Sequence, residues 1–589
     1  MKISKRMNNV ELAELLRAAS SAYQIKGGNR FKVIAYDRAA EAIDHLSSEA
    51  KDLWDDNQLE DVSGIGKSIA GHIGEIFSTG KSKHFEKLFE DLSPAIFELL
   101  KVTGIGPKHA KRFVDEFKLT KASTATKELL LHAKNGDIAK LEGFGKDSEN
   151  AVIEAIKEYQ AKPKDRLLMD KAEAVSQSVI DWMKKSSAVG EITTLGSLRR
   201  RASTVGDIDL AVASDKPDEV ITHFTEYPQK SRVLQKGERK AALILPGNIQ
   251  VDLMVEDVDN FGSLKQHFTG SKQHNIQLRE YAVKKGWKVS DYGITKNGKL
   301  VEHKDEKSFY TSLGFSWIPP ELREGTNELE IASSGTLPDL IKIENIQGDL
   351  HIHSDFDIHT SHDIGADSMQ SIVKKAGELK YQYIAFTEHN PAQMNSQKTV
   401  NNLLKKKGNK IDQLNNELVK TSVKKIYNSL EVDILPDGRL PLGEDALDIL
   451  DFALVSIHSS FKKTRKAQTN RVLKALDHPK VKIFAHPTGR KLNEREGVDL
   501  DWDVIFDFCV KNNKWLEINS SPQRIDLSDA LVQEAIKNGV KLVIDTDSHA
   551  VAHMDTMKYG VYNARRGWAE AKNIMNTLDY SSFVSQLGL

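Results

Sequence analysis

The sequence predicts a multidomain protein: an all-helical N-terminal part, a mixed α/β part, and a C-terminal α/β part organised like a barrel. Three observations carry this expectation. From Asn8 to Phe89 apolar residues recur at helical spacing, as in VELAELLRAAS and KSIAGHIGEIF, with glycine-containing turns between the runs. After AKPKDR, short segments rich in β-branched and aliphatic residues take over, namely ITTLGSL, DIDLAVA, AALILP and IQVDLMV. Towards the C-terminus, YQYIAFTEH, FALVSIHSS, KIFAHP, KWLEINS and KLVIDTDSH alternate with helical patterns. Several of these runs end in a histidine or carboxylate, at the edge where α/β barrels build their sites.

With 589 residues the chain exceeds what one hydrophobic core organises. Its boundaries are read as helical segments 1–90 and 91–160, an α/β segment 161–260, a short α/β tail 261–320, a polar linker 321–345 interrupted by Gly and Pro, and a final domain 346–589. Hydrophobic content of 39%, charged content of 28% and 15 prolines exclude disordered and fibrous classes. One cysteine, Cys509, excludes a disulfide framework and any thiolate zinc site, leaving histidine and carboxylate as metal ligands. The N-terminus lacks an apolar signal core and no apolar run is long enough to span a bilayer, so a cytoplasmic protein without a membrane partner is expected. A net charge of -1 gives no global sign of a polyanionic partner. Any nucleic-acid contact must come from backbone amides and a few placed cations.

VSGIGKSIA (62–70), VTGIGPKHA (102–110) and LEGFGKDSE (141–149) share an apolar residue, G-x-G and a following helix. Glycines let a turn approach a phosphate, and the helix N-terminus supplies free N–H donors and a favourable dipole. One such turn is ordinary; three copies point to Gly64, Gly66, Gly104, Gly106, Gly143 and Gly145 as phosphate contacts. The segments resemble helix-hairpin-helix motifs, which grip nucleic-acid backbone without reading sequence.

In GSLRRRASTVGDIDLAV, Asp207 and Asp209 alternate along a strand and face one way. Asp252 in IQVDLMV adds a third carboxylate from a neighbouring strand. Three carboxylates repel one another unless divalent cations lie between them, and such a set suits two-metal phosphoryl transfer. Gly196 and Ser197 come just before, with Arg199, Arg200 and Arg201, as suits a loop gripping a triphosphate.

Here the chain resembles the X-family DNA polymerases, through GSLRRRASTVGDID, then VDLMV, then HFTGSKQHNIQLRE, over most of the first 320 residues. The resemblance implies helical helix-hairpin-helix domains, an α/β nucleotidyltransferase palm and a small thumb-like α/β domain that contacts nucleotide and template. It implies that Asp207 and Asp209 hold two Mg²⁺ or Mn²⁺ ions, and that Asp252 joins one of them and assists deprotonation of the primer 3′-hydroxyl. Ser197, Arg200 and Arg166 would hold the phosphates of a deoxynucleoside triphosphate. His267, Phe268 and Gly270 would bound the sugar, Asn275 would contact the base, and Arg279 would approach the template. Two departures stand out. His267 replaces the tyrosine that animal relatives place beside the sugar, and His72 replaces the lysine that attacks abasic sugars in lyase-active relatives. Histidine forms no Schiff base and Lys67 occupies a different position, so weak or absent deoxyribose-phosphate lyase activity is expected.

The second half contains GDLHIHS, FTEHNP, SLEVD, SIHSS, FAHP and DTDSH, most of them following predicted strands. His351 and His353 alternate and face one way, as do Asp547 and His549, and imidazole with oxygen suits Mn²⁺, Zn²⁺ or Fe²⁺. The set resembles the PHP (polymerase and histidinol phosphatase) domain, a distorted (β/α) barrel, over roughly 346–575. That resemblance implies three ions: one on His351, His353, Glu431 and Asp547, a second on Glu431, His458 and His486, a third on His389, His549 and one further residue. An insertion, SDFDIHTSHDIGADSM, leaves Asp363, His362 and His359 for that last place, and the spacing to His389 selects Asp363. Arg490 and Lys491 in HPTGRKL are candidate cations for guiding DNA.

The resemblance therefore implies a monomeric gap-filling DNA-directed DNA polymerase of base excision repair, acting on gapped or nicked double-stranded DNA. Its PHP domain would be a 3′-5′ exonuclease and an abasic-site endonuclease. Two other readings stand beside it: a PHP phosphoesterase of small molecules with an accessory DNA-binding module, and a non-catalytic scaffold for repair factors.

Overall fold

The computed structural model describes residues 7, 9–44, 50–55, 58–62, 64–102, 104–161, 166–392, 395–419 and 421–588. The chain divides into two units, Met1–Lys164 and Asp165–Leu589, with the division inside the AKPKDR stretch.

The first unit is helical. Its longer helices are Asn9–Ile25, Arg30–Asp44, Lys67–Thr79, Pro107–Phe117, Ala122–Lys134 and Lys146–Ala161. One continuous apolar cluster runs from Leu12 and Leu16 through Ile73 and Phe85 to Phe113, Leu129 and Ile156. Segments 1–90 and 91–160 thus share a core.

The second unit begins with a five-stranded sheet in the order Ile192–Thr194, Ile208–Ala213, Ile249–Glu256, Lys240–Leu245, Arg232–Lys236. Only the pair Ile208–Ala213 and Ile249–Glu256 is parallel. Helices Met169–Met183 and Pro217–Thr225 supply Met169, Val179, Val220 and Phe224 to a core with Ile208, Leu210 and Val251. ITTLGSL, expected as one strand, stops at Thr194; Gly196, at φ 57°, turns the chain into the short helix Gly196–Arg199. Next come helices Phe261–Thr269 and Lys272–Lys284, a small antiparallel sheet (Lys288–Ser290, Gly293–Lys296, Lys299–Val301) and helix Glu306–Leu313, packed around Leu278, Ile294, Phe309 and Leu313.

The segment 321–345, read as a linker, is instead packed structure. Arg323 is fully buried and donates to Glu306 at 2.6 Å, and buried Glu328 meets His274 Nδ1 at 2.7 Å. Its polar composition reflects buried ion pairs rather than solvent exposure, and composition alone does not separate the two.

Beyond it lies a parallel barrel. One sheet holds Gly348–Ile352, Tyr383–Phe386 and Lys425–Asn428; the other holds Glu431–Asp433, Ala453–Ser456, Val481–Phe484, Trp515–Asn519 and Lys541–Asp545. All pairs are parallel. Isolated bridges His389 to Glu431 and Ile352 to Ser548 join the two sheets at both seams. The strands are buried on both faces, as parallel strands covered by helices are.

Barrel and palm share apolar contacts. Ile525 and Tyr559 of the barrel belong to the palm cluster of Met169 and Val251, with Leu492 and Tyr562 packed against it. Arg490 fixes this seam: its Nε donates to Arg524 O at 2.9 Å and its Nη2 to Ile525 O. Arg490, expected to guide DNA, is instead turned inward, with two of its three guanidinium nitrogens held on carbonyls of the barrel. No helix among the described residues is long and apolar enough to cross a membrane.

Candidate active sites and DNA interface

The three hairpins repeat one geometry. Ile65 N donates to Val62 O at 2.9 Å, Ile105 N to Val102 O at 3.1 Å, and Phe144 N to Leu141 O at 3.0 Å. Gly64, Gly104 and Gly143 hold φ 102°, 92° and 81°, values that a side chain at Cβ disfavours. Gly66 and Gly106 then serve as N-caps without a side-chain cap bond, leaving the first amides of helices Lys67–Thr79 and Pro107–Phe117 to a ligand or water; Gly145 precedes Lys146–Ala161. A Cβ built at Gly66, Gly104, Gly106 or Gly145 meets nothing within 4 Å, so these turns face open space.

His72 lies on the first of these helices. Its ring stacks on His84 at 3.9 Å, and His84 Nε2 meets Tyr36 Oη at 2.8 Å. Burial lowers the pKa of both histidines, His84 to about 4, so this pocket holds neutral imidazoles.

In the palm, parallel pairing sets Asp209 directly beside Asp252. The strand begins at Ile208, so Asp207 is the residue leading into it. Burial first, then the charges of Asp207 and Asp252, raise Asp209 to about 7. Burial also raises Asp252, against the donation of Gln250 Nε2 to its Oδ2 at 2.8 Å. Gln250 is a neighbour the sequence reading missed; its alternation with Asp252 on one strand was the available signal. A Cβ at Gly196 would lie 2.4 Å from Asp209 Oδ2, so only glycine lets the loop come this close. Ser197 follows it, half-buried.

Arg200 donates to Thr269 O at 2.6 Å and to Glu324 Oε1 at 3.1 Å. Gly270, at φ 64°, lies within a Cβ's reach of the Arg200 guanidinium, so the Gly270 turn and the Gly196–Arg201 loop adjoin. His267 packs edge-on against Phe268 at 4.9 Å. Asn275 is buried and braces the His267 turn: its Nδ2 donates to His267 O at 2.6 Å and its Oδ1 accepts from Gln266 at 2.8 Å. These two bonds leave one amide N–H and one lone pair uncommitted for the expected base contact. Arg279 is exposed on helix Lys272–Lys284. Arg166 is exposed and tied to Thr204 through Oγ1 at 3.0 Å and O at 3.1 Å, beside Gly206.

In the barrel the expected ligands sit at or just past the C-terminal end of a strand, apart from Glu431, which opens one, and Asp363, which lies in the long loop between Ile352 and helix Met369–Glu378. Strands end at Ile352, Phe386, Ser456, Phe484 and Asp545, so His353, His389, His458, His486, Asp547 and His549 lie beyond them, a shift from the expected strand alternation of Asp547 and His549. Asp547 stands at φ 54° and His486 at φ 29°. His351, His353, Glu431 and Asp547 present ligand atoms all within 4.8 Å of one another, as do His353, His389 and His549, and His389, Glu431 and His458. His486 Nε2 reaches Glu431 Oε1 at 2.7 Å, and His458 Nε2 reaches the same oxygen at 3.3 Å. Of the three candidates for the last ligand, Asp363 meets His389 Nε2 at 3.3 Å and His549 Nε2 at 3.5 Å. His362 instead faces Asp433 at 2.9 Å and His359 faces Asn395 at 3.5 Å.

These residues fit divalent cations by a test of their own chemistry. His351 Nε2, both ring nitrogens of His353, His389 Nδ1, Glu431 Oε2 and His549 Nε2 are buried without a hydrogen-bond partner among the described residues. Imidazole nitrogens lie 3.2 to 3.4 Å from Glu431 Oε2 and Asp547 Oδ1, too poorly aligned for hydrogen bonds yet converging on common points. Burial opposes the charge on Glu431, but His389, His458 and His351 outweigh it and hold its carboxyl well below the usual range.

Three residues of this centre went unread in the sequence. Glu517 Oε1 meets His351 Nδ1 at 2.6 Å, and Asp433 Oδ1 meets His458 Nδ1 at 2.8 Å, each carboxylate fixing an imidazole so that Nε2 faces the cluster. Both stand in strands already visible in the sequence, in KWLEINS and SLEVD, on the inward-facing alternate positions. Arg524 places its Nε 3.6 Å from Asp547 Oδ2. Burial opposes the charge on Asp547, but His351 and His353, with a smaller part from Arg524, hold its carboxyl low, while burial first and then Arg524 lower the pKa of His486. The segment of Arg524, SSPQRID, carries no strand pattern.

Comparison with known proteins matches family models over most of this layout: a helix-hairpin-helix domain at 7–82, a SAM-like helix-hairpin-helix tandem at 96–158, the DNA polymerase beta thumb at 265–324 and the PHP domain at 349–521. The chain is 33% identical to the DNA polymerase/3′-5′ exonuclease PolX of Bacillus subtilis (strain 168), over 97% of each chain. It is 21% identical to DNA polymerase lambda of Arabidopsis thaliana over 54% of this chain and 62% of that one. It is 30% identical over 140 residues to the repair DNA polymerase X of African swine fever virus, covering 22% of this chain and 80% of the viral one. The near-complete match to the bacterial protein, together with the two sites just described, shows that this chain belongs to the X-family DNA polymerases that carry a C-terminal PHP domain.

Proposed function

We propose that this protein fills gaps in DNA at the Asp207, Asp209 and Asp252 site and removes 3′-nucleotides, and incises abasic sites, at the histidine cluster. The observation that carries the reading is that one compact unit holds both a three-carboxylate sheet edge and a ring of buried imidazole nitrogens lacking hydrogen-bond partners.

In the palm, Asp207 and Asp209 would hold two Mg²⁺ or Mn²⁺ ions, and Asp252 would join one of them and draw the proton from the primer 3′-hydroxyl. In the barrel, three ions among Mn²⁺, Zn²⁺ and Fe²⁺ would be held by His351, His353, Glu431 and Asp547; by Glu431, His458 and His486; and by His389, His549 and Asp363. Bound there, such cations supply Lewis acidity toward a phosphodiester and an acidified water.

The protein's own residues do the rest. Ser197 and Arg200 hold a nucleoside triphosphate, Gly270 lets the sugar turn approach Arg200, and His267 with Phe268 walls the sugar, with Asn275 bracing that wall. Arg166 fixes the Thr204 backbone ahead of Asp207, and Arg279 offers a cation to the template. In the barrel, Glu517 and Asp433 set the tautomers of His351 and His458, and Arg524 offers donors to a phosphate beside Asp547. Asp363, 76% exposed, marks the open side of the cluster. The hairpins hold the DNA backbone, and the protein works as a monomer.

Gapped, 3′-mismatched and abasic DNA followed with wild type, Asp207→Ala and His351→Ala side by side tests the assignment. Extension lost only in Asp207→Ala and cleavage lost only in His351→Ala is the expected result. Undiminished extension by Asp207→Ala, or undiminished cleavage by His351→Ala, defeats the corresponding half.

A further inference from the structure

The three arginines of the Gly196–Arg201 loop leave it in three directions. Arg199 makes a two-pronged pair with Glu306, which also takes Arg323. Arg201 donates to Glu173 Oε1 at 2.6 Å and lies over the Tyr562 ring at 4.2 Å. Arg200, the expected phosphate ligand, donates to Glu324 and to Thr269 O.

Two of these directions lead to a single helix of the barrel, Met557–Arg566. Lys558, Tyr562 and Arg566 are spaced by four and so share one face. Lys558 donates to the other oxygen of Glu173 at 2.9 Å, and Tyr562 lies under Arg201. Arg566 Nη1 donates to Glu324 Oε1 at 2.7 Å and to Arg200 O at 2.9 Å, while its Nε donates to Asp529 at 2.8 Å. One carboxylate oxygen of Glu324 therefore sits between a guanidinium of the palm and a guanidinium of the barrel. Burial opposes the charge on Glu324, but Arg566 and Arg200 outweigh it and hold its pKa at about 2.

We propose that Arg566 sets how readily Arg200 is surrendered to an incoming nucleoside triphosphate, making a barrel residue a positioning residue of the polymerase site. The proposal rests on the reading of Arg200 as a phosphate ligand. A triphosphate competes with Glu324 for the Nε donor of Arg200. While Arg566 neutralises Glu324, giving up Arg200 leaves that carboxylate paired. Without Arg566, giving up Arg200 would leave a partly buried charge with neither of its guanidinium partners, so Glu324 holds on and the nucleotide binds more weakly. Arg566 itself touches no nucleotide; it acts through Glu324 and through the Arg200 carbonyl.

The test is single-nucleotide gap filling by the full chain, with kcat and KM for the triphosphate measured in wild type, Arg566→Gln, Glu324→Gln, the double variant and Arg200→Ala. Arg566→Gln should raise KM about fivefold or more with kcat nearly unchanged. Glu324→Gln should lower KM, and the double variant should return to the wild-type KM or below it, because a neutral amide no longer detains Arg200. A double variant as weak as Arg566→Gln would show that Arg566 is only a structural brace and would overturn the proposal, as would an unchanged KM in Arg566→Gln. Exonuclease activity of the same preparations reports whether the barrel still folds. If Arg566→Gln does not fold, Glu324→Gln decides alone: a lowered KM supports the coupling, an unchanged or raised KM overturns it. Arg200→Ala separates the two levels, since an unaltered KM there defeats the phosphate-ligand reading itself and the coupling with it.

Discussion

Asp209 stands beside Asp252 in parallel register, and this pairing adds to burial and to the Asp207 charge in making Asp209 an unusually weak acid. With burial, Asp207 and Asp252 all acting on it, Asp209 is raised to about 7. An acid whose folded pKa lies above its unfolded value subtracts stability above that pKa, and the loss is recovered as the pH falls through it. In EDTA-treated protein, Asp209→Asn should therefore raise the unfolding temperature of the unit Asp165–Leu589 at pH 8, by roughly 1 °C for each kcal/mol of penalty removed, and by progressively less as the pH falls from 7 toward 4. Calorimetry at pH 8 and pH 5 checks this; a gain that is larger at pH 5 contradicts the assignment.

The same geometry predicts proton release when ions bind. Mg²⁺ needs a deprotonated Asp209, so affinity at the palm should weaken below pH 7 and binding there should liberate up to about one proton. Titration calorimetry in buffers of different ionisation enthalpy measures the proton count, and an affinity independent of pH between 6 and 8 would exclude it.

Glu517 acts on the cluster through its neighbours: it meets His351 Nδ1 and accepts from the His486 amide and from Asn519 Nδ2, which also donates to Asp547. Glu517→Gln keeps the shape but removes the charge that fixes His351, so metal affinity of the barrel should fall about 10- to 100-fold while gap filling at saturating Mg²⁺ is retained. Equilibrium Mn²⁺ binding, followed by electron paramagnetic resonance, reads the first effect and primer extension the second. Wild-type Mn²⁺ affinity in the variant would remove Glu517 from the centre.

Arg524 offers the barrel site a cation that is not a metal. Arg524→Ala should lower exonuclease turnover about 10- to 100-fold without reducing Mn²⁺ occupancy. Loss of occupancy with no separate effect on turnover would assign Arg524 to supporting Asp547 instead.

His72 and His84 stack as neutral rings where a lyase would need an amine. Borohydride treatment with 5′-deoxyribose-phosphate DNA should yield little covalent adduct on the first unit. An efficient adduct mapped to Lys67 would reverse this expectation.

Much of this was legible in the sequence wherever chemistry and periodicity coincided. Asp207 and Asp209 were readable because alternation along GDIDLAV sets both on one face, Asp252 because IQVDLMV reads as a neighbouring strand, and His351, His353, Glu431, His458, His486 and Asp547 because they fall in or near the ends of segments with strand patterns. Asp363 had to be chosen from three candidates by its spacing to His389, since an irregular loop has no period to say which side chain turns inward. Glu517 and Asp433 escaped because a carboxylate that binds an imidazole looks, in sequence, like any strand carboxylate. The packed segment around Arg323 and Glu328 was mistaken for a linker because partners such as Glu306 and His274 are distant in sequence, and burial of a charge depends on its partner. Arg490 failed for the same reason: its acceptors are carbonyls, which every residue carries.

Ile525 and Arg524 are chain neighbours that face opposite ways, the first into the palm core and the second to the barrel's histidines. The halves are therefore not exchangeable cassettes. A palm excised without residue 525 would carry an open apolar socket, and a barrel transplanted onto another palm would lose the backing that aims residue 524. Drift in either half is constrained by the other through two adjacent codons, so the polymerase and the nuclease should have been inherited together as one part.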